Sequence, residues 1–455
     1  MEESGEGERG AKLLTNALHR HSLDREFPVA VKGDGVYLID AEGKRYLDGS
    51  GGAAVSCLGH GNERVRQAVK SQIDELEFAH TRFFSNAPME ALADDLVADA
   101  PAGLTKAWFT CGGSESIEAA LKITRQYFVE TGEPQRRHVI GRLQSYHGTT
   151  AGALSAGGNM SRRAVFAPLL LDSMHHIAPC FAYRGQLADE SEGAYGLRVA
   201  NELEAKILEL GSDTVAAFIA ETVVGSTLGC VPAVPGYFRR IREICDKYGV
   251  LLILDEVMCG MGRTGRRYAC EEEGIAPDFI ALAKGLSAGY LPLGALLIAD
   301  KVHKAIESGS NAVMHSHTFT GHPVSCAAAL AVQQEVRERD LLANVRTMGS
   351  VFRSALSEQF GNHRHVGDIR GRGLFLALEL VKDRTTKEPF DASLGLSERI
   401  RVKAMENGLI CYPMGGLVDG KRGDNVMIAP PFIVEESHVF ELVDKLNRTL
   451  DDVLR

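Results

Sequence analysis

No window of this 455-residue chain approaches the roughly 20 consecutive apolar residues that a membrane-crossing helix needs. The longest apolar runs, such as Val250 to Leu254, are strand-sized. Basic residues are not in excess: 50 Lys and Arg stand against 60 Asp and Glu, a formal charge of −10. That balance argues against a nucleic-acid footprint or a membrane-binding patch, and leaves room for a local anion site. The nine cysteines are scattered, odd in number and without a CxxC pair, so a disulfide framework and structural zinc are both poor readings. No HExxH spacing accompanies His175–His176, His315 and His317, or His363 and His365; core or solvated histidines are the better reading, and no metal is expected. The stretch Met1 to Gly10 is acidic and glycine-rich, unlike a secretory signal or an arginine-rich transit peptide, and the expected location is cytoplasmic. A GxxxxGK[ST] string is missing, as is GxGxxG after the first strand, which weighs against nucleotide hydrolases and nicotinamide dehydrogenases.

What is present is an ordinary globular composition, 45% hydrophobic and 24% charged with 48 glycines. At about 150 residues per domain, two or three compact units fit. Val36 to Asp48 reads as a hairpin around Glu42-Gly43. From about Lys106, strand-length apolar runs alternate with amphipathic stretches, which predicts βαβ units and a mostly parallel sheet. The expected strands are Ala107–Thr110, His138–Leu143, Ala216–Ala220, Val250–Leu254, Phe279–Ala283 and Leu293–Ala299. A helix is predicted over Pro235 to Tyr248, with Pro235 in its first turn and Gly249 as its left-handed stop. From about Ala327 the chain turns helical, then returns to strands near Gly373–Leu380 and Val426–Ile428, and closes on a helix from Glu435 to Leu454. Gly415–Gly423 reads as a mobile glycine-rich loop. The expected class is α/β: a large domain over 69–324, with 1–68 and 325–455 forming a smaller α+β domain from both chain ends.

Ligands in open parallel sheets sit beyond the carboxyl ends of the strands. Three strand ends here carry polar groups. Thr110-Cys-Gly-Gly-Ser114 opens a helix, a turn that can cup a phosphate or simply cap the helix. Val250 to Leu254 runs into Asp255-Glu256, placing a carboxylate at the lip of a buried strand. Phe279 to Ala283 runs into Lys284-Gly285; a lysine there is partly desolvated, which lowers its pKa and frees the amine for Schiff-base chemistry. A phosphate cup, an anion and a nucleophilic lysine are together what pyridoxal phosphate needs.

In this order the three parts resemble the class III, or omega-type, aminotransferases of the fold-type I pyridoxal-phosphate enzymes, from about Gly35 to the C-terminus and most specifically over Leu251 to Lys284. The resemblance implies that Lys284 is the lysine joined to the cofactor aldehyde and that Asp255 partners the pyridine nitrogen. It puts Val257 on one ring face, Tyr146 on the other with His147 beside it, and Gly113 and Ser114 at the phosphate. Glu221, ending another strand, is implied to face the substrate side of the ring. Thr318 is implied to reach the phosphate of the neighbouring subunit's cofactor, making a homodimer with shared sites. The activity implied is transfer of an amino group from an amine or omega-amino acid to a keto acid, pyruvate or 2-oxoglutarate. The sequence departs from the family at Cys259 and Met261, and Thr222-Val-Val-Gly following Glu221 shifts the expectation toward the amine:pyruvate-like or broad omega-amino-acid branch.

Ala54 and Phe84 occupy positions that line the pocket in relatives and are candidate substrate contacts. Arg422, with Lys421, is a candidate movable cation for a substrate carboxylate. Arg370-Gly371-Arg372 reads as a turn before a strand. A decarboxylase or aminomutase would use the same cradle, and sequence does not separate these reactions from transamination.

Overall fold

The computed structural model describes residues 27–455. The Met1 to Gly10 leader and the first part of the 1–68 segment lie outside them. Seven strands form the central sheet: β1 Leu104–Thr110, β2 His138–Arg142, β3 Met174–Ile177, β4 Val215–Glu221, β5 Leu251–Asp255, β6 Phe279–Leu282 and β7 Gly294–Ala299. Their spatial order is β1-β7-β6-β5-β4-β2-β3. β7 runs antiparallel to both β6 and β1, while the other pairings are parallel. Every residue of β4 and β5 is buried, the outcome expected when a parallel strand is covered on both faces and its sequence reads as one continuous apolar run. The edge strand β3 was not anticipated, because Met-His-His-Ile lacks such a run.

The helix Tyr237–Tyr248 packs Phe238, Ile241, Ile244 and Cys245 into this core. Burial of each large apolar side chain contributes up to about 1.5–3 kcal/mol. Pro235 does not occupy its first turn, as the sequence had suggested: Gly236, left-handed at φ 89°, is the cap and Pro235 precedes it. Gly249 ends the helix at φ 65°, as read from the sequence.

The chain ends meet in smaller sheets. Ala30–Asp34, Tyr37–Asp40 and Arg45–Asp48 pair antiparallel, and Leu409–Ile410 adds to Arg45–Asp48 in parallel. A second sheet joins Val366–Arg372, Phe375–Leu380, Asp424–Ile428 and Tyr412–Gly415. Arg370-Gly371-Arg372 is therefore the end of a strand, not a turn. The turn falls on Gly373 and Leu374, with Gly373 at φ 56°. One hydrophobic core gathers residues from Leu92 to Ala329, and another combines residues around Val36 to Val65 with the C-terminal helices. Among the described residues no helix is long and apolar enough to cross a membrane.

Candidate active site

Parallel register fixes where the acids stand. Glu221 and Asp255 are ladder partners at the ends of β4 and β5, and Asp255 is also level with Ala281 of β6, so Lys284 emerges just beyond the same edge. All three line one cavity of about 470 Å³. Gly113, Ser114, Tyr146, His147 and Val257 line it as well, so eight of the residues singled out from the sequence come together.

Each acid holds one residue of a consecutive pair. Glu221 accepts hydrogen bonds from the Tyr146 N–H (3.0 Å) and the Gly225 N–H (2.7 Å). Asp255 Oδ2 lies 2.8 Å from His147 Nδ1, and its Oδ1 accepts from the Val257 N–H at 3.0 Å. An ionised carboxylate only accepts, so Nδ1 of His147 carries the proton in this contact. Burial pushes the Glu221 carboxyl above its usual range, and the nearby His147 opposes that shift.

Lys284 has a left-handed backbone, φ 47°, a conformation that costs a non-glycine residue on the order of 1–3 kcal/mol and is found where the surroundings enforce it. Crowding by protein lowers its amine from 10.5 to about 8, against the pull of the Asp255 and Glu221 carboxylates, with the charge of Arg162 adding to the depression. An amine near 8 has a substantial neutral, nucleophilic fraction around neutral pH.

The helix Gly113–Glu130 starts at the cavity. Its first N–H groups have no partners within the helix, and its dipole favours an anion there. No atom lies within 4 Å of where a side chain at Gly112 would begin, whereas a Cβ at Gly113 would meet Val257 Cγ1 at 2.8 Å. Ser114 Oγ accepts from the Thr149 N–H (3.0 Å). A Cβ at Gly148 would fall 2.5 Å from the same oxygen, so only glycine lets the 145–150 loop pass so close. An open glycine cup beside a hydroxyl, a buried acid across the cavity and a depressed lysine fit an aromatic aldehyde that carries a phosphate and a ring nitrogen.

A family profile described as Aminotransferase class-III matches residues 20–450. The chain belongs to the class III aminotransferases. It is 42% identical to an uncharacterised aminotransferase of Schizosaccharomyces pombe, covering 96% of this chain and 95% of the relative. It is 36% identical to the putrescine–pyruvate aminotransferase of Pseudomonas aeruginosa, over 98% and 91% of the two chains. The crystal structure of the omega transaminase from Pseudomonas jessenii in complex with PMP superposes at a TM-score of 0.90, with 35% identity and 96% of each chain covered. This aminotransferase thus has the fold-type I architecture and is an enzyme that passes amino groups to keto acids.

The remaining sequence-derived candidates lie elsewhere. Thr318 is exposed. Ala54 is buried at φ 62°, and its neighbours Ala53 and Val55, rather than Ala54 itself, reach the cavity. Phe84 is 67% exposed. Arg422 pairs with Asp419 at 2.7 Å and is not among the lining residues. Arg370 is buried against the protein's own carboxylates, Glu379 at 2.6 Å and Asp368 at 2.9 Å, which absorb the charge a substrate would need. The spelling Gly260-Met-Gly-Arg-Thr-Gly265 opens no helix and so forms no dinucleotide cradle. Among the described residues no cluster of histidine, cysteine and acids is arranged to hold a metal ion.

Arg162, Ser226 and Tyr412 line the cavity without having been singled out. Only the doubled arginine at 162–163 was visible as a local feature, and arginine pairs are common on surfaces.

Proposed function

We propose that this aminotransferase works with pyridoxal 5′-phosphate and takes amino groups from amines or omega-amino acids, delivering them to pyruvate or 2-oxoglutarate. The observation carrying this reading is the meeting, in one cavity, of a lysine lowered to about 8 with a buried aspartate from the neighbouring strand and an open helix N-terminus. When bound, the cofactor supplies an electron sink for the charge left by proton removal.

The chain's own groups do the rest. The first N–H groups of the helix at Gly113, with Ser114, bind the phosphate. Asp255, held by His147 and by the Val257 N–H, would be the anion that keeps the ring nitrogen protonated. Tyr146 and Val257, which both line the cavity, would pack against the bound ring and exclude water. Lys284 Nζ takes the proton from the donor carbon that bears nitrogen and returns one to the acceptor.

We further propose a homodimer with shared sites. Support comes from an uncovered aromatic face next to Thr318: Phe83 is 73% and Phe319 52% exposed, and rings touch in series from Phe83 through His80 and Phe78 to Phe319. Contiguous apolar patches of this kind mark protein contacts. A reducing, cytoplasmic setting accords with nine free cysteines, eight of them buried.

The test is to reconstitute the full chain with the cofactor, record its visible absorbance, reduce with borohydride and map the labelled peptide. Label on Lys284, with alanine formed from pyruvate and a terminal amine, is the expected result. A colourless protein labelled nowhere near Lys284 would overturn the assignment. Light scattering checks the dimer.

A further inference from the structure

Two consecutive arginines sit on the short helix Met160–Ala164, whose cap is Asn159: its Oδ1 accepts from the Arg162 N–H at 3.1 Å. They have opposite fates. Arg163 donates to the carbonyls of Leu154 (3.2 Å), Gly157 (2.6 Å) and Ser155, fastening the helix to the loop before it. The guanidinium of Arg162 has no ion pair or hydrogen bond among the described residues; it lines the active-site cavity and lies 4.5 Å above the centre of the Tyr146 ring. Stacking on a ring occupies the face of a guanidinium and leaves its edge N–H groups open, the geometry that takes a carboxylate bidentately.

The acids of the cavity cannot serve it. Glu221 is engaged by the N–H groups of Tyr146 and Gly225, and Asp255 by His147 and Val257. Arg162 therefore brings an uncompensated positive charge to the site, near enough to disfavour protonation of Lys284. The loop carrying Arg422 acts as a support: a side chain at Gly420 would touch Met160 and Ser161 at 3.4 Å, and Gln144 Nε2 donates to the Gly416 carbonyl at 2.9 Å. Val223 and Met258 line the same cavity and provide apolar surface suited to methylenes.

We propose that Arg162 is the group that holds the carboxylate of the amino donor, so that the preferred donors carry an acid at the end remote from the amine. This rests on the aminotransfer reading above and narrows its donor class.

The test uses the full cofactor-loaded chain with Arg162→Met and Arg162→Lys. The amino half-reaction, run without acceptor, is followed by absorbance with β-alanine through 6-aminohexanoate and with n-alkylamines of matching length. The expected result is that Arg162→Met lowers the efficiency ratio of amino acid to alkylamine at least tenfold, through the half-saturating concentration, and that Arg162→Lys restores part of it. Calorimetry with pentanoate is expected to give at least tenfold tighter binding to the wild type than to Arg162→Met. Equal ratios in all three proteins would overturn the proposal. So would a matched loss on both donor series with weakened cofactor binding, which would make Arg162 a cofactor-positioning group. If the wild type reacts with neither series, the donor reading of the previous subsection fails, while the pentanoate comparison still decides the role of Arg162.

Discussion

Glu221 and Asp255 stand level with each other on adjacent parallel strands, and each fastens one member of the Tyr146–His147 pair. The two acids thus set both the polarity of the cavity and the position of the aromatic residue that closes it.

Because His147 is buried and bonded to Asp255 at 2.8 Å, removing either partner has an unequal cost. Asp255→Ala is expected to lower turnover by at least ~10²-fold, because without the anion the ring nitrogen loses its proton and the ring takes up charge less well. His147→Ala is expected to lose ~10–100-fold, the range seen when a partner that only orients another group is removed. Steady-state rates, with borohydride labelling of Lys284 retained in both variants, check this; a His147→Ala enzyme at wild-type rate would deny the orienting role.

Gly113 and Val257 form a second coupled pair, since a methyl at Gly113 would press on both Val257 methyls at 2.8 and 2.9 Å. Gly113→Ala is predicted to weaken cofactor binding at least tenfold. Gly113→Ala combined with Val257→Ala is predicted to recover part of it, because the double change removes the clash. Equilibrium dialysis against the cofactor measures both, and strictly additive losses would refute the coupling.

The amine of Lys284 titrates near 8 in the folded chain rather than 10.5. Between those values the unfolded chain binds more protons, so this group disfavours the cofactor-free fold below pH 8 and ceases to do so as pH climbs toward 10.5. Lys284→Met is expected to be more stable than the cofactor-free wild type at pH 7, with the gap narrowing above pH 8. Capture of the cofactor aldehyde by wild type is expected to quicken across the same rise. Thermal midpoints and stopped-flow absorbance at several pH values test the two statements.

Glu256, next to Asp255 yet turned away from the cavity, accepts from Thr222 Oγ1 (2.9 Å) and from the N–H groups of Ala269 (2.7 Å) and Cys270 (2.8 Å). Glu256→Ala strands three buried donors and is predicted to cost at least ~3 kcal/mol, seen as a lower unfolding midpoint. Burial raises this carboxyl to about 7, so its stabilising contribution is fully present below its ordinary 4.5 and fades as pH rises through 7. The wild-type advantage over Glu256→Ala should therefore shrink between pH 5 and 8; an advantage that grows would contradict the assignment.

Much of this was open to reading in one dimension. A buried parallel strand must be apolar along its whole length, so β4, β5 and β6 announced themselves, and a polar residue directly after such a run can only stand at the sheet's edge. That logic located Asp255 and Lys284, while Glu221 came from the resemblance to the family and proves to end β4 in the same way. Strand β3 escaped because an edge strand needs no continuous apolar run. The Arg370–Arg372 segment reads as a turn in one dimension because its charges hide a strand: Arg370 is neutralised by Asp368 two residues back and Glu379 on the neighbouring strand, and Arg372 by Glu273.

What the amino-acid sequence determined by itself is the identity and order of the chemical groups: a helix-opening glycine cup, an acid and a lysine, each delivered by a strand whose own hydrophobicity dictates its burial. Only the tertiary structure decided which charges remain unspent. Arg162, Arg163, Arg370 and Arg422 are the same residue type, and nothing local distinguishes them. Three are consumed by carbonyls or carboxylates, Asp368 and Asp419 close by along the chain and Glu379 brought in by strand pairing, and one is left facing the cavity because packing offers it an aromatic ring instead of an anion.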